Sequence, residues 1–356
     1  MPNAYEIDFL RVGEGNGDAI VIRYAENAGD SFYLHVVDGG FTDTGDAIIS
    51  HIESHYGKGL TIGHVVLTHA DNDHACGLIK ILEHFNVYKV WMNRPWLYVD
   101  YVLDKFDPRF GREGLIQRMR YMHPYLVEME KIAERKGINI GDPFQGQDIG
   151  PFKVLAPSPL RYVQLIPDLD KTPPSWADVQ PPSGGYIADA FRSAAQKVLE
   201  RLDFETLDNN PPPTSASNES SVVQLGTFGN SHILLTGDVG PEGLDEAAAY
   251  AQSLGIPGRL KLMQVPHHGS RRNVTPHVLD RWLGDYPAEF RGTAIASVGI
   301  GKAGEFPRKR VSNAFRRRGY PVSITEKEWF CSYEGYPTRI GSETPNTIPF
   351  SPEVED

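Results

Sequence analysis

Two cysteines in 356 residues, Cys76 and Cys331, are too few for a disulfide framework, and neither stands in a CxxC pair. That scarcity fits a reducing compartment, and neither thiol is taken as a nucleophile. Also missing is any apolar run of the ~18–20 residues that a membrane span needs. The start, MPNAYEIDFLRV, lacks the basic, apolar and small-residue order of a signal peptide. The expectation is a cytoplasmic protein with no membrane partner. No repeat of fixed period runs through the chain, and a net charge of −11 argues against indiscriminate coating of nucleic acid. What remains, 40% hydrophobic and 23% charged, is a globular composition that supports a sizeable core.

The acidic average hides three basic runs, Arg271-Arg272, Arg308-Lys309-Arg310 and Arg316-Arg317-Arg318. One such run is as readily a solvated helix face, whereas three in an acidic chain point towards an anionic substrate. Apolar strands and helical stretches alternate. EIDFLRV and AIVIRY flank a turn at Gly13, Gly15 and Gly17, SFYLHVVDGG and HVVL are further strands, and DAIISHIESHY has helical spacing. This alternation predicts an α/β architecture with its sites on loops after strands. Residues 148–156 are expected to form one strand, 186–202 an amphipathic helix and 307–318 a basic helix. SSVVQLGTF and SHILLTGD form a hairpin about Gly229-Asn230. Residues 93–145 and 160–216 are expected as insertions over one domain spanning 1–356, serving as a lid or as a surface for a protein partner.

The chemistry is concentrated in LTHADNDHACG. His69 to His74 packs two imidazoles and two carboxylates into six residues directly behind a buried strand. Desolvation and like-charge repulsion there would cost several kcal/mol without a cation. Imidazole nitrogen and carboxylate oxygen are the ligands that divalent ions use. A lone buried His is more often a satisfied core residue, and an Asp after a strand is more often a cap. Two later strands nevertheless end the same way, HILLTGD at Asp238 and LKLMQVPHHGS at His267-His268.

The set LTHADNDH, LLTGD and VPHHGS resembles the metallo-β-lactamase fold superfamily. Within it the chain is similar to the metallohydrolase domain of ComEC-type DNA-uptake proteins. That likeness rests on VGEGNGDAIVI, VVDGG, HxDxDH, NESSVV, LLTGD, VPHHGS and ASVG, and covers roughly residues 5–92 and 218–326 with part of 145–160.

The resemblance implies a four-layer αββα sandwich with helical and Pro-rich insertions, and two divalent ions, zinc or manganese. His69 and Asp71 would hold the first ion, Asp73, His74 and His267 the second, and Asp238 would bridge them. Asp73 would also orient the attacking hydroxide, and His268 would either donate a proton to the leaving group or support the ligands from behind. Asp71 stands where a His is usual in the wider superfamily, and TSASNESS stands where the His completing the first site is expected. Asn218 and Ser221 thereby become candidate substrate-site residues, or simply turn residues that start a strand. Phe306 occupies a place where the similar family tends to carry a His.

The function that follows is phosphodiester hydrolysis by a metal-bound hydroxide, with nucleic acid or a nucleotide as substrate and Arg271 and Arg272 among the guiding cations. Two alternatives stand beside it: an ester, lactone or thioester hydrolase of the same fold, and a subunit that binds metal or nucleic acid without catalysis.

Overall fold

The computed structural model describes residues 2–169, 198–256, 259–286, 289–325, 329–337, 339 and 346–355. Six strands open the first sheet: β1 (Ala4–Phe9), β2 (Ala19–Ala25), β3 (Tyr33–Gly39), β4 (Thr61–Val66), β5 (Asn86–Trp91) and β6 (Asn139–Gly141). A second sheet takes β7 (Asp148–Ile149) and β8 (Phe152–Ala156). After the short β9 (Val198–Leu199) it resumes with β10 (Val223–Phe228), β11 (Ser231–Leu235), β12 (Leu262–Gln264), β13 (Thr293–Ala296) and β14 (Val322–Ile324). β15 (Phe330–Glu334) returns to the first sheet, and β16 (Glu353–Val354) pairs with β9. The sheet orders are β15-β1-β2-β3-β4-β5-β6 and β14-β13-β12-β11-β10-β8-β7.

The helices are α1 (Thr42–His55), α2 (Asn72–His84), α3 (Val99–Val102), α4 (Gly111–Met122), α5 (Pro124–Lys136), α6 (Pro159–Leu165), α7 (Ala216–Glu219), α8 (Pro241–Ser253), α9 (Pro276–Leu283) and α10 (Lys309–Arg317).

Strand alternation explains the layering. Along β11, Ile233 and Leu235 point into the space between the sheets while Leu234 points the other way. In β2, Ile20 and Ile22 face inward and Val21 faces the helices. Three cores result, one between the sheets and one under the helices on each outer face. α1, α2 and α5 cover the first sheet, and α8, α9 and α10 cover the second. This is the αββα sandwich. α2 lies so close on β3 that a Cβ on Gly77 would overlap the Gly39 carbonyl, so both positions need glycine. The Lys136 ammonium at the end of α5 donates to the Leu82, Glu83 and Phe85 carbonyls, which satisfies the C-terminus of α2.

Within residues 93–145, Leu115, Met119, Leu126, Met129 and Ile132 enter the core under the first sheet, and β6 extends that sheet in parallel with β5. The stretch 148–156 differs from the single strand expected. Gly150, at φ +59°, and Pro151 turn it into a tight hairpin of β7 and β8. The helix expected over 186–202 lies outside the described residues except for 198–202, which contains β9. Among the described residues, no helix is long and apolar enough to cross a membrane.

The run Arg316-Arg317-Arg318 corrects the expectation of a surface that guides an anion. The Arg317 and Arg318 side chains are 0% exposed. Arg317 donates to the Glu200 carboxylate (2.9 Å) and to the Phe204 carbonyl (2.7 Å). Arg318 donates to both Glu205 oxygens and to Asp280, and Arg316 to the Ile348 carbonyl. Arg317 and Arg318 are spent inside the protein, clamping residues 200–205 onto α10, and the half-buried Arg316 ties in Ile348. Removing one partner strands a buried charge. Arg317→Ala is therefore expected to lower unfolding free energy by about 3–5 kcal/mol in a denaturant titration, with no change in the salt dependence of nucleic-acid binding.

Candidate metal centre

Four parallel strands bring their C-terminal ends to one edge of the sandwich. β3 delivers Asp38, β4 delivers Thr68 and His69, β11 delivers Asp238, and β12 delivers His267 and His268. α2 begins at this edge with Asp71 as its N-cap and Asp73 and His74 in its first turn. Carboxylates suit the positive end of a helix. The Asp71 side chain does not cap the helix; its Oδ1 accepts instead from the Ser217 hydroxyl (2.9 Å).

Asp238 stands at the centre. Its Oδ2 lies 3.5 Å from His74 Nε2, 3.6 Å from His267 Nε2 and 3.9 Å from His69 Nε2, and its Oδ1 lies 3.6 Å from His268 Nε2. Asp71 Oδ2 is 3.6 Å from His69 Nε2. Among the described residues four ligand groupings fall out of the geometry, His69–His74–Asp238, Asp73–His74–His268, Asp18–Asp238–His268 and Asp18–Asp38–His74, each with its donor atoms within 4.8 Å of one another. The expectation from sequence put His267 beside Asp73 and His74, whereas the structure groups His268 with them. The backbone explains the difference. Both residues take positive φ, 47° and 58°, which sends their rings to different sides of the Asp238 carboxylate. Among the described residues Asp38, His267 and His268 are the non-glycine residues with positive φ, and all three stand here. Left-handed backbone at such residues persists only where the surroundings enforce it.

Hydrogen bonds fix the imidazoles from behind. Asp38, fully buried, accepts from the Thr68 N–H (2.8 Å), the Thr68 hydroxyl (2.7 Å) and His74 Nδ1 (2.7 Å). Because the Thr68 proton goes to Asp38, its oxygen is left to accept from His69 Nδ1, 3.1 Å away. His267 Nδ1 faces Asn273 Oδ1 at 3.0 Å, while the Asn273 amide nitrogen donates to the Asp238 carbonyl. The Nδ1 atoms of His69, His74 and His267 thus each have a partner, and their Nε2 atoms are turned towards Asp238.

Of the candidate substrate residues, Ser221 is fully buried. Its hydroxyl accepts from the Asp238 N–H (3.2 Å) and lies 3.3 Å from His69 Nδ1. The Asn218 amide nitrogen lies 3.1 Å from His267 Nδ1 and donates to Thr214. Both therefore stand behind ligand-type side chains and orient them. Arg271 and Arg272 are exposed immediately after the His267–Gly269 turn. Glu219, next to Asn218, accepts from the Gly243 N–H at the start of α8 and from Arg161, which anchors the SNESS turn.

The residues fit a cation. His69 Nε2, His74 Nε2, Asp238 Oδ1 and both ring nitrogens of His268 are buried without a protein hydrogen-bond partner. Such orphaned atoms facing one another are costly unless an ion joins them. Asp18 and Asp38 were not singled out as site residues from sequence. Asp18 is fully buried beside His74, and the signal for it was only a Gly-Asp at the head of a strand.

In the ion-free protein, burial pulls the His74 imidazole down, but the Asp238 and Asp38 carboxylates outweigh it and hold the group well above its usual 6.5. Burial and His74 also pull His69 down, and Asp71 and Asp238 more than offset them. Burial pushes Asp238 up, yet His267, His268 and His74 keep it well below the usual carboxylate range. A raised imidazole contributes stability that is complete below about 6.5 and is lost as pH rises through the raised value. Thermal unfolding of ion-free protein is expected to show a Tm that falls as pH rises above about 6.5, with the loss offset by divalent ions. Ion uptake near neutrality should release protons, measurable by calorimetry in two buffers of different ionisation enthalpy.

A comparison with curated protein sequences returned no match. Among solved structures, a metallo-beta-lactamase from Thermotoga maritima is similar at 12% identity, with 73% of this chain and 95% of that one covered and a TM-score of 0.34. A diphosphatase of the PhnP family is 10% identical over 81% of this chain and 85% of its own, with a TM-score of 0.33. The metallo-beta-lactamase SMB-1 is 9% identical over 78% and 86%, with a TM-score of 0.32. The profile of the metallo-beta-lactamase superfamily, whose members are mostly metal-dependent hydrolases that bind divalent ions, matches residues 12–286. That span runs from the Gly-rich turn past the His267-His268 pair, and on it the chain belongs to the metallo-beta-lactamase superfamily.

Proposed function

We propose that the protein is a metal-dependent phosphodiesterase of the ComEC-like type, acting on nucleic acid or a nucleotide through a pair of divalent ions, zinc or manganese. The carrying observation is the Asp238 carboxylate, which has imidazole nitrogens within 3.5–3.9 Å of Oδ2 and another 3.6 Å from Oδ1. A carboxylate addressed from both oxygens is what a bridging ligand between two ions requires. His69, Asp71 and His267 would serve one ion, and Asp73, His74 and His268 the other. When bound, such ions supply Lewis acidity and a water of lowered pKa.

The chain's own residues do the rest. Asp38 and Thr68 keep the His69 and His74 lone pairs aimed at the centre, and Asn273 does so for His267. Asp73, half-buried in the first turn of α2, would accept a proton from the nucleophile at a side-chain oxygen. Arg271 and Arg272, exposed beside the turn that carries His268, offer charge-assisted contacts to a phosphate. With Arg317 and Arg318 withdrawn into the protein and Arg316 bonded to the Ile348 carbonyl, the cations left on this side are fewer, which favours a short strand or a nucleotide over a long duplex.

With Mn²⁺ or Zn²⁺, turnover of bis-nitrophenyl phosphate is expected to exceed that of nitrophenyl acetate. Asp238→Ala should keep the fold by circular dichroism and lose roughly 10³-fold or more in turnover. Robust acetate hydrolysis with no phosphodiester hydrolysis would move the assignment to the ester or lactone class, and fewer than one bound ion per chain would move it to a non-catalytic subunit. Arg271→Ala with Arg272→Ala should raise KM for single-stranded DNA, leave kcat near wild type and flatten the dependence of binding on log salt by about one per lost phosphate contact.

A further inference from the structure

Asp18 comes from the opposite sheet to Asp238 and His268 and has no part in the HxDxDH signature. It follows the turn at Gly13–Gly17, whose last glycine is pressed against the Asp73 backbone so that a Cβ there would collide with the Asp73 carbonyl. The Asp18 N–H donates to that carbonyl (3.3 Å). Its side chain is 2% exposed. Oδ2 accepts from the Gln264 amide (2.8 Å) and lies 3.8 Å from His74 Nδ1, while Oδ1 is buried with no protein partner. Gln264 is itself fixed, its Oε1 accepting from the Thr236 and Gly237 N–H groups two residues and one residue before Asp238. Asp18, Asp238 and His268 each offer a donor atom within 4.8 Å of the other two. Asp238 Oδ1 and both His268 nitrogens share the condition of Asp18 Oδ1, buried and without a hydrogen bond. Two buried carboxylates with unsatisfied oxygens do not stay side by side uncompensated.

We propose that Asp18 is a third carboxylate of the second ion position, beside Asp73 and Asp238, and that it makes this position oxygen-rich and selective for a hard divalent cation of the Mn²⁺ class. The first position, with His69, His267, Asp71 and a share of Asp238, has the same two imidazoles but one carboxylate fewer and is correspondingly better suited to zinc. The two positions therefore differ in preference, and Gln264 holds the residue that sets the difference. This rests on the two-ion reading above.

The test is Mn²⁺ binding to the full chain stripped of metal, followed by the electron paramagnetic resonance of free Mn²⁺, with Zn²⁺ as competitor. Wild type is expected to bind two equivalents. Asp18→Asn keeps the volume and an oxygen for Gln264, so ion-free thermal stability should be retained. It should weaken only the more Mn²⁺-selective equivalent, by at least about 100-fold, beyond what loss of an outer hydrogen-bond partner produces. It should also shift that position's preference towards Zn²⁺. A smaller loss, or equal weakening of both equivalents, would overturn the assignment of Asp18 and leave two-ion binding standing. Wild type holding fewer than two equivalents would overturn the two-ion reading beneath it. Should Asp18→Asn not fold, Gln264→Leu leaves the carboxylate present but unheld. It is expected to weaken the same equivalent by roughly 10-fold, and unchanged binding would again overturn the proposal.

Discussion

The site depends on one buried carboxylate that is not itself aimed at the centre. Asp38 sits in the left-handed region at the end of β3 and gathers the Thr68 amide, the Thr68 hydroxyl and the His74 ring. Through Thr68 it also settles which nitrogen of His69 carries the proton. Two imidazoles are thereby turned to the same point with the same nitrogen, Nε2. Mutual orientation is what short local spacing cannot guarantee, since six residues of loop and helix start leave many ways to point two rings.

The second sheet completes the centre with a different device. Asp238, Ser221 and Asn273 tie one another through backbone groups, so the carboxylate and His267 come to the site as a prearranged unit. The SNESS turn is locked by Glu219 against the start of α8, which accounts for a glutamate in a place where only Asn and Ser face the metal ligands. Strain is concentrated at the His267-His268 pair, where two successive left-handed residues let one short turn address both oxygens of Asp238.

Much of this was legible in the sequence because the signals were local. HADNDH reads as a ligand cluster by density alone, and Asp238 and the His pair read as polar ends of apolar strands. The alternation of strands and helices gave the α/β class, and the family likeness implied the four layers. Asp18 and Asp38 were hidden because a Gly-Asp before a strand and an Asp-Gly-Gly after one are ordinary turn chemistry. Only the docking of two sheets shows what their oxygens meet. The order of His267 and His268 was hidden as well, since backbone handedness decides it. The Arg316–Arg318 run misled for a related reason: its acidic partners, Glu200 and Glu205, lie 117 and 113 residues away from Arg317 and Arg318. A charge run carries no mark of whether its counter-charges wait in solvent or elsewhere in the chain.

The Gln264 amide, bonded to Asp18 across 246 residues of chain, has a consequence for the order in which the molecule is made. Contacts of such separation form late, after the loop entropy between them has been met by the docking of both sheets. A chain still folding can offer an ion only the local cluster from His69 to His74, and the remaining donors arrive when the sandwich closes. The candidate metal centre is thus complete only in the finished fold, and an ion captured there would lock that fold and would not be the template on which it is built.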